Sequence, residues 1–377
     1  MLSSAVESCL HGELDAFLGY KKSAFGAKPT TDRRNGFSSK TLKTNDGPVN
    51  IQVPRDRDGL FVPTIVGKWA SNVSDIETIV LSLYSKGMSQ RDIADAIRDI
   101  YGYDVSPETI SAVTDRVLDT VNEWQARRLQ PIYVVLYVDC LYVSIKTERE
   151  AKQHAVYVIT GINVQGMKEI LGFWINETEG KSTWMKIFDE LRARGVEDVV
   201  FMCMDGVTGL EEGAKVVFPE VIVQRCMVHL MRNSLQYIPS KDYAAFASQA
   251  KQLYSAPSLE AAERALEQLE KDWVAYPGAI AVWKNNWQHV SQLYNYGTSV
   301  RKGIYTTNTV ESVNSSLRKV TKKGSFPNKQ SVFEVFYLRA QKLSKKWTKA
   351  VRNWADMMNE LFVEDSIRAR IEKFTCK

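Results

Sequence analysis

The sequence predicts an α/β fold, a mixed sheet with helices on both faces, preceded by a helical region and interrupted by an all-helical segment. Three observations lead there. Ile132-Tyr133-Val134-Val135-Leu136-Tyr137-Val138 is apolar on both alternating faces, the pattern of a central strand covered on both sides. Apolar strand-like runs then alternate with helical ones. From about Ser240 to Gln292 the chain turns polar and helical, marked by Ala261-Ala262-Glu263-Arg264 and by Trp273, Trp283 and Trp287.

The 377 residues exceed one ordinary core and suggest several domains. Residues 1–70 read as an N-terminal arm. From about Ala24 to Lys68 the arm is rich in Gly, Pro, Asn, Asp, Lys and Arg. Thr41–Thr44 and Val49–Val53 flank the turn Asn45-Asp46-Gly47-Pro48, which predicts a short hairpin, with the rest an extended basic arm. Residues 71–130 read as helices. Ile76, Ile79, Val80 and Leu83 share one face, and Gly87 ends that segment. Ser89 with Asp92 forms a capping box before the face Ile93, Ala96, Ile97, Ile100. Ser106-Pro107 starts a third helix with the stripe Ile110, Val113, Val117, Leu118, Val121. This is a helix-turn-helix-like pattern; its last helix would offer Thr109, Ser111 and Thr114 to base edges. A plain helical bundle explains the pattern equally well.

Residues 131–239 carry the strands. After Ile132–Val138 come Ala155–Ile162 and Glu169–Ile175, then a helix from about Ser182, the run Val199–Met204, a second helix, and Val221–Cys226. Three antiparallel-type strands followed by β-α-β-α-β is the order of a ribonuclease H-like domain. Residues 240–300 form its helical insertion, and 301–377 return to it. In that topology the first and fourth strands are neighbours, so Asp139, at the end of the first buried run, and Asp205, at the end of the fourth strand, would meet. Paired carboxylates are hard oxygen ligands that suit Mg²⁺, with Mn²⁺ an alternative. A single Asp at a strand end is more often a loop cap.

The C-terminal part is basic. Arg301 to Lys349 holds twelve Lys and Arg against two Glu, a field that draws polyanions, although a solvated helix face gives the same composition. Asn308 and Glu311 make a capping box. Val310, Val313, Leu317 and Val320 make the buried stripe, which leaves Glu311, Asn314, Ser315, Arg318, Lys319 and Lys322 for a DNA-facing side. Cys226 and His229 are half of a zinc pattern, but no second half is evident, so structural zinc is disfavoured. His229 reaching a phosphate or an attacking water and an inert core pair both remain open.

Five scattered cysteines suggest reduced thiols, and no apolar run is long enough to span a bilayer. These features point to a cytoplasmic protein.

Taken together, the residues resemble the Mutator-type transposases of bacterial insertion sequences. The motifs are Leu18-Gly19-Tyr20, Arg34-Asn35-Gly36-Phe37, Val53-Pro54-Arg55-Asp56-Arg57, Asp205-Gly206 with Gly209-Leu210, and Phe218-Pro219. They continue with Gln224-Arg225-Cys226-Met227-Val228-His229, Arg232-Asn233, Tyr305-Thr306-Thr307-Asn308 with Glu311 and Asn314, and Phe326-Pro327. The resemblance implies a ribonuclease H-like catalytic domain with an Asp-Asp-Glu triad, here Asp139, Asp205 and Glu311, and a functional Cys226–His229 pair. It implies divalent metal, double-stranded DNA partners (terminal inverted repeats and target) and a homodimer or larger assembly on DNA. Thr208 stands where family members often carry Lys, and many members begin further upstream. Rival readings are a nuclease or junction resolvase on the same fold and a transposase-derived DNA-binding regulator without catalysis.

Overall fold

A computed structural model describes residues 2–24, 28–44, 47–66, 74–101, 105–148, 150–177, 181–207, 209–305, 308–321 and 324–375. At 2, 43, 44, 47, 48, 74–77, 101, 109, 181 and 308–311 it describes the backbone alone. The chain forms two compact units. One comprises Met1–Trp124, Lys319–Gly324 and Asn328–Arg339; the other comprises Gln125–Arg318, Ser325–Pro327 and Ala340–Lys377.

In the first unit, α1 (Leu2–Leu18) packs on a two-stranded antiparallel ribbon, β1 (Arg34–Thr44) and β2 (Gly47–Asp56). The pairing runs Leu42↔Val49, Lys40↔Ile51 and Ser38↔Val53. Leu42 and Ile51 point inward to Val6, Leu10 and Val66. Each such fully buried aliphatic side chain contributes roughly 1.5–3 kcal/mol. The expected extended arm is thus corrected. The strands are about twice the predicted length, because their alternation of Ser, Thr and Lys with Leu, Val and Ile has an apolar partner in α1. The buried carboxylate of Glu13 accepts from the Thr64 and Ile65 amides at 3.0 Å and fastens the following segment to α1. The turn at Asn45-Asp46 lies outside the described residues.

Three helices follow, α2 (Ser74–Tyr84), α3 (Gln90–Tyr101) and α4 (Pro107–Ala126). The capping box forms as the sequence predicts: the Asp92 amide donates to Ser89 Oγ at 3.1 Å, and the Ser89 amide donates to Asp92 Oδ2 at 3.2 Å. Two details differ from expectation. Ile100 is exposed and Ala94 is buried in its place. Thr114 is buried too, its hydroxyl donating to the Ser111 carbonyl at 3.0 Å; a methyl and a locally bonded hydroxyl fit a core face as well as a polar one. The unit closes on a buried pair in which Tyr84 donates to Glu334 at 2.8 Å.

The second unit is built on a mixed sheet of β3 (Ile132–Lys146), β4 (Ala151–Ile162), β5 (Lys168–Asn176), β6 (Asp198–Met204) and β7 (Ile222–Arg225), in the order β5-β4-β3-β6-β7. β3, β4 and β5 are antiparallel neighbours, and β6 and β7 run parallel to β3. Helices α5 (Lys181–Ala193), α6 (Leu210–Val217) and α7 (Met227–Leu235) intervene or follow. One face packs Tyr133, Leu136, Val138, Val223 and Met202 against Trp184, Phe188 and Phe218. The other packs Val135, Tyr137, Phe201 and Cys203 against Phe246, Trp283, Leu293 and Trp354. Burial on both faces is what the unbroken apolar run of β3 requires.

The stretch predicted to be helical holds α8 (Tyr243–Ser255), α9 (Leu259–Asp272), α10 (Pro277–Asn285) and α11 (Trp287–Gln292), followed by α12 (Thr298–Tyr305). Helix α13 (Asn308–Thr321) leads to a two-residue strand, β8 (Ser325–Phe326), which pairs with β3 at Ser144 and Ile145. Helices α14 (Lys329–Ser344), α15 (Trp354–Leu361) and α16 (Asp365–Thr375) complete the chain. Arg370 of α16 binds Asp198 at 2.7 Å and the Glu220 and Val199 carbonyls, each at 2.9 Å, so it pins the entry of β6. Gly166 has φ of 77°, and a Cβ there would meet the Trp354 ring at 2.5 Å. The same indole donates to the Val164 carbonyl. No described helix is long and apolar enough to cross a membrane.

Candidate active site

Asp139 does not end its strand: β3 runs on to Lys146, with Leu141, Val143 and Ile145 buried and Tyr142 exposed. Beyond Asp139 the face that carries Cys140, Tyr142 and Ser144 opens, while the Asp139 face stays buried. The register across three strands sets what faces it. Tyr137 is opposite Cys203, and Cys203 is opposite Gln224. Two residues further on, the same side of each strand carries Asp139, Asp205 and Cys226. The Cys226 amide extends the ladder by donating to the Met204 carbonyl at 2.9 Å. Asp205 is the first residue beyond β6, half-buried, with Oδ1 taking the Gly206 amide at 2.7 Å.

Asp139 is 6% exposed. A carboxylate so buried needs partners. Its Oδ1 accepts the Cys140 amide at 2.8 Å and faces His229 Nε2 at 3.6 Å. Its Oδ2 accepts from Asn314 Nδ2 of α13. Asn314, expected on a DNA-facing surface, is instead buried against the first aspartate; its amide can donate to a carboxylate that the sheet leaves half-satisfied. Two atoms around Asp139 stay without a partner, Asn314 Oδ1 and His229 Nδ1.

Cys226 is not the last strand residue but the N-cap of α7, which places His229 in the first turn of that helix. Enclosure pushes the Cys226 thiol up to about 11; the His229 and Val228 amides oppose this, and Asp139 and Asp205 add to it. The thiol therefore lies close to both carboxylates and stays protonated at neutral pH. Tyr137 donates to the Gly303 carbonyl at 2.9 Å, and complete burial raises its phenol far above the ordinary value.

A network that the sequence reading missed borders the site. Glu211 binds Arg225 at 2.9 Å, Lys215 at 2.7 Å and His289 at 3.3 Å. Burial alone would raise its carboxyl, yet Lys215, His289 and Arg225 together hold it below the usual range. Burial first, and then Arg225, depresses His289. Arg225 also reaches the Asp205 carbonyl at 3.5 Å. Charges so far apart in sequence leave no periodic signal.

The remaining expected residues are placed as follows. The Glu311 backbone lies in α13, one turn before Asn314, and its side chain lies outside the described residues, as does that of Thr109. Lys322 and Thr208 lie wholly outside them. Arg318 is half-buried, Lys319 is exposed, and Val313, Leu317 and Val320 form the expected buried stripe. Ser111 is half-buried, within 3.3 Å of Gln90 Nε2. Among the described residues no group of three or more His, Cys, Asp or Glu could hold a metal ion.

The second unit is thus a mixed α/β unit in which Asp139 and Asp205 each lie two residues past the last β3–β6 pair, Tyr137↔Cys203. The chain belongs to the Mutator family of transposases, whose family model matches residues 1–350. It is similar to the probable transposase for insertion sequence element ISRM3-like of Sinorhizobium fredii, 37% identical over 360 residues, covering 95% of this chain and 89% of that protein. The transposase for insertion sequence element ISRM3 of Rhizobium meliloti shows the same identity and coverage. The transposase for insertion sequence element IS1201 of Lactobacillus helveticus is 33% identical, covering 88% of this chain and 90% of that protein. Among solved structures, a simian T-cell lymphotropic virus intasome matches at a TM-score of 0.20 and 8% identity, over 35% of this chain and 51% of that one. That likeness carries no argument about the fold.

Proposed function

We propose that this protein is the transposase of an insertion sequence, and that its second unit is a ribonuclease H-like domain that cuts and rejoins DNA with divalent metal. One observation carries the reading: β6 runs parallel beside β3, paired as far as Tyr137↔Cys203, and Asp139 and Asp205 each follow two residues later, with α13 delivering Asn314 to the Asp139 carboxylate. The order β5-β4-β3-β6-β7, antiparallel in its first three strands and parallel in its last two, supports the ribonuclease H-like assignment.

The donors present fit Mg²⁺, with Mn²⁺ as substitute: hard carboxylate oxygens, one of them buried, beside two unpartnered polar atoms. Asp139 and Asp205 would hold one ion. Asp139 and Glu311 would hold the other, since positions three apart share a helix face and Asn314 already reaches Asp139. Bound in this way, such ions stabilise the attacking and leaving oxygens of an in-line displacement at phosphorus. His229, with Nε2 toward Asp139 and Nδ1 unpartnered, is placed to hold a phosphate oxygen or the attacking water. Arg318 and Lys319 would track the DNA backbone, and Thr109 and Ser111 would approach bases in the first unit. Joining two element ends calls for a dimer or larger assembly.

The test uses purified protein, labelled duplexes carrying element ends, and Mg²⁺ or Mn²⁺. Asp139→Ala, Asp205→Ala and Glu311→Ala should each abolish cleavage and leave binding intact. Full cleavage by any of them refutes the triad. A pre-cut end with a free 3′-hydroxyl separates transposase from nuclease, because only the former joins it to a target.

A further inference from the structure

We infer that the β1–β2 ribbon is a second DNA-reading element, one that enters the major groove and reads adenines through Asn50 and Gln52. The inference rests on the proposal that the chain acts on DNA. The ribbon is two-stranded. Its inner face is closed by α1, through Leu42 and Ile51. On its outer face Thr41 stands opposite Asn50 and Ser39 opposite Gln52, and all four side chains are exposed. A two-stranded ribbon has the width of the major groove, and Asn and Gln are the side chains that match the donor and acceptor of adenine.

The side chains are already aligned for that task. Thr41 donates to Asn50 Oδ1 at 2.6 Å, and Gln52 Nε2 donates to Ser39 Oγ at 3.0 Å. Each amide is anchored by one of these bonds and keeps at least one donor and one acceptor, the pair that adenine N7 and N6 require. Positions 50 and 52 are about 7 Å apart along the strand, close to two base steps of roughly 3.4 Å each.

The flanking charge suits the same partner. Arg33, Arg55 and Arg57 are exposed at one end of the ribbon, where the Arg57 amide bonds to the Arg33 carbonyl at 2.7 Å. Two acids of that stretch are withdrawn from the surface. Asp32 accepts the Arg33, Arg57 and Asp58 amides, Asp56 accepts the Leu60 amide, and both are buried. Asp58 alone among these acids stays exposed. Arginines beside a polar reading face supply the phosphate contacts that position it.

The experiment measures binding of the full chain, without divalent metal, to duplexes selected by the wild type from a random pool. The Asn50→Ala/Gln52→Ala variant should bind selected and scrambled duplexes alike, a loss of about tenfold or more in selectivity. Asn50→Asp, whose carboxylate cannot donate to N7, should do the same in part with an unchanged melting temperature. Replacing adenine by 7-deazaadenine in the selected duplex should weaken the wild type and leave the double variant unaffected. Arg55→Ala/Arg57→Ala should weaken both duplexes equally and flatten the salt dependence. A double variant as selective as the wild type, or a wild type indifferent to 7-deazaadenine, overturns the inference. Because binding is read without metal, a wild type that selects DNA but never cuts it would refute the catalytic proposal and leave this one standing.

Discussion

Removing the Asn314 side chain tests whether the candidate site is assembled as described. Asn314 Nδ2 donates to a carboxylate oxygen of Asp139 that has no other donor among the described residues, and both residues are buried. A hydrogen bond to a buried charged group is worth about 1.5–3 kcal/mol. Asn314→Ala also removes the unpartnered Oδ1, which returns roughly 1 kcal/mol of desolvation cost. The net expectation is a loss of about 0.5–2 kcal/mol in the second unit. At about 2–4 °C per kcal/mol for a domain of this size, the melting temperature should fall by about 1–8 °C in metal-free buffer. Asn314→Asp sets a second carboxylate against the first, so it should melt lower still at pH 7 and recover toward pH 4 as one carboxyl takes a proton. Calorimetry of wild type and both variants, with and without Mg²⁺, reads all of this. A melting temperature unchanged within 1 °C for Asn314→Ala, or an Asn314→Asp variant more stable than Asn314→Ala at pH 7, refutes the placement of α13 on Asp139.

Other outcomes follow from the same geometry. Burial raises the Glu334 carboxyl, while the Gln330 and Tyr84 hydrogen bonds oppose this. A carboxyl raised in the folded state adds stability below its unfolded pKa and loses it as pH climbs through the folded value. Glu334→Gln should therefore flatten the decline in stability of the first unit between about pH 4 and neutral; an unchanged slope in denaturant titrations counts against it. The Cys226 thiol, at about 11, should alkylate about a hundredfold more slowly near pH 8 than an ordinary cysteine, read by mass spectrometry of iodoacetamide-treated protein. Equal rates would contradict its enclosure. Gly166→Ala should destabilise the second unit by about 2–4 kcal/mol, since the positive φ and the Trp354 ring both resist a Cβ; a chemical-denaturation midpoint equal to wild type would argue against that contact.

The central strand was legible because Ile132–Val138 allows only a site buried on both faces. The cap at Ser89 and the stripe through Val313, Leu317 and Val320 were legible because their signals are local. That β3 and β6, the strands that carry Asp139 and lead to Asp205, are neighbours could be read from topology once the strand order was recognised. What the sequence hid was set by distant partners. Reading a strand end into Asp139 overlooked the alternation of Leu141, Tyr142 and Val143, a pattern that continues a strand with one face buried. Asn314 reads as polar surface until a buried carboxylate is placed beside it. Thr114 and Ile100 exchanged the roles that helical periodicity gives them, because which flank of an amphipathic helix is covered depends on the neighbour it meets. Glu211, Arg225 and His289 come from three elements, and no spacing rule connects them.

Asp139 takes a side-chain partner from a point 175 residues further along the chain. A nascent polypeptide released early, by a stop codon or a ribosome lost from its message, would lack α13 and leave the acidic pocket unfinished. On the proposed function, the capacity to cut DNA is withheld until α13 has been translated.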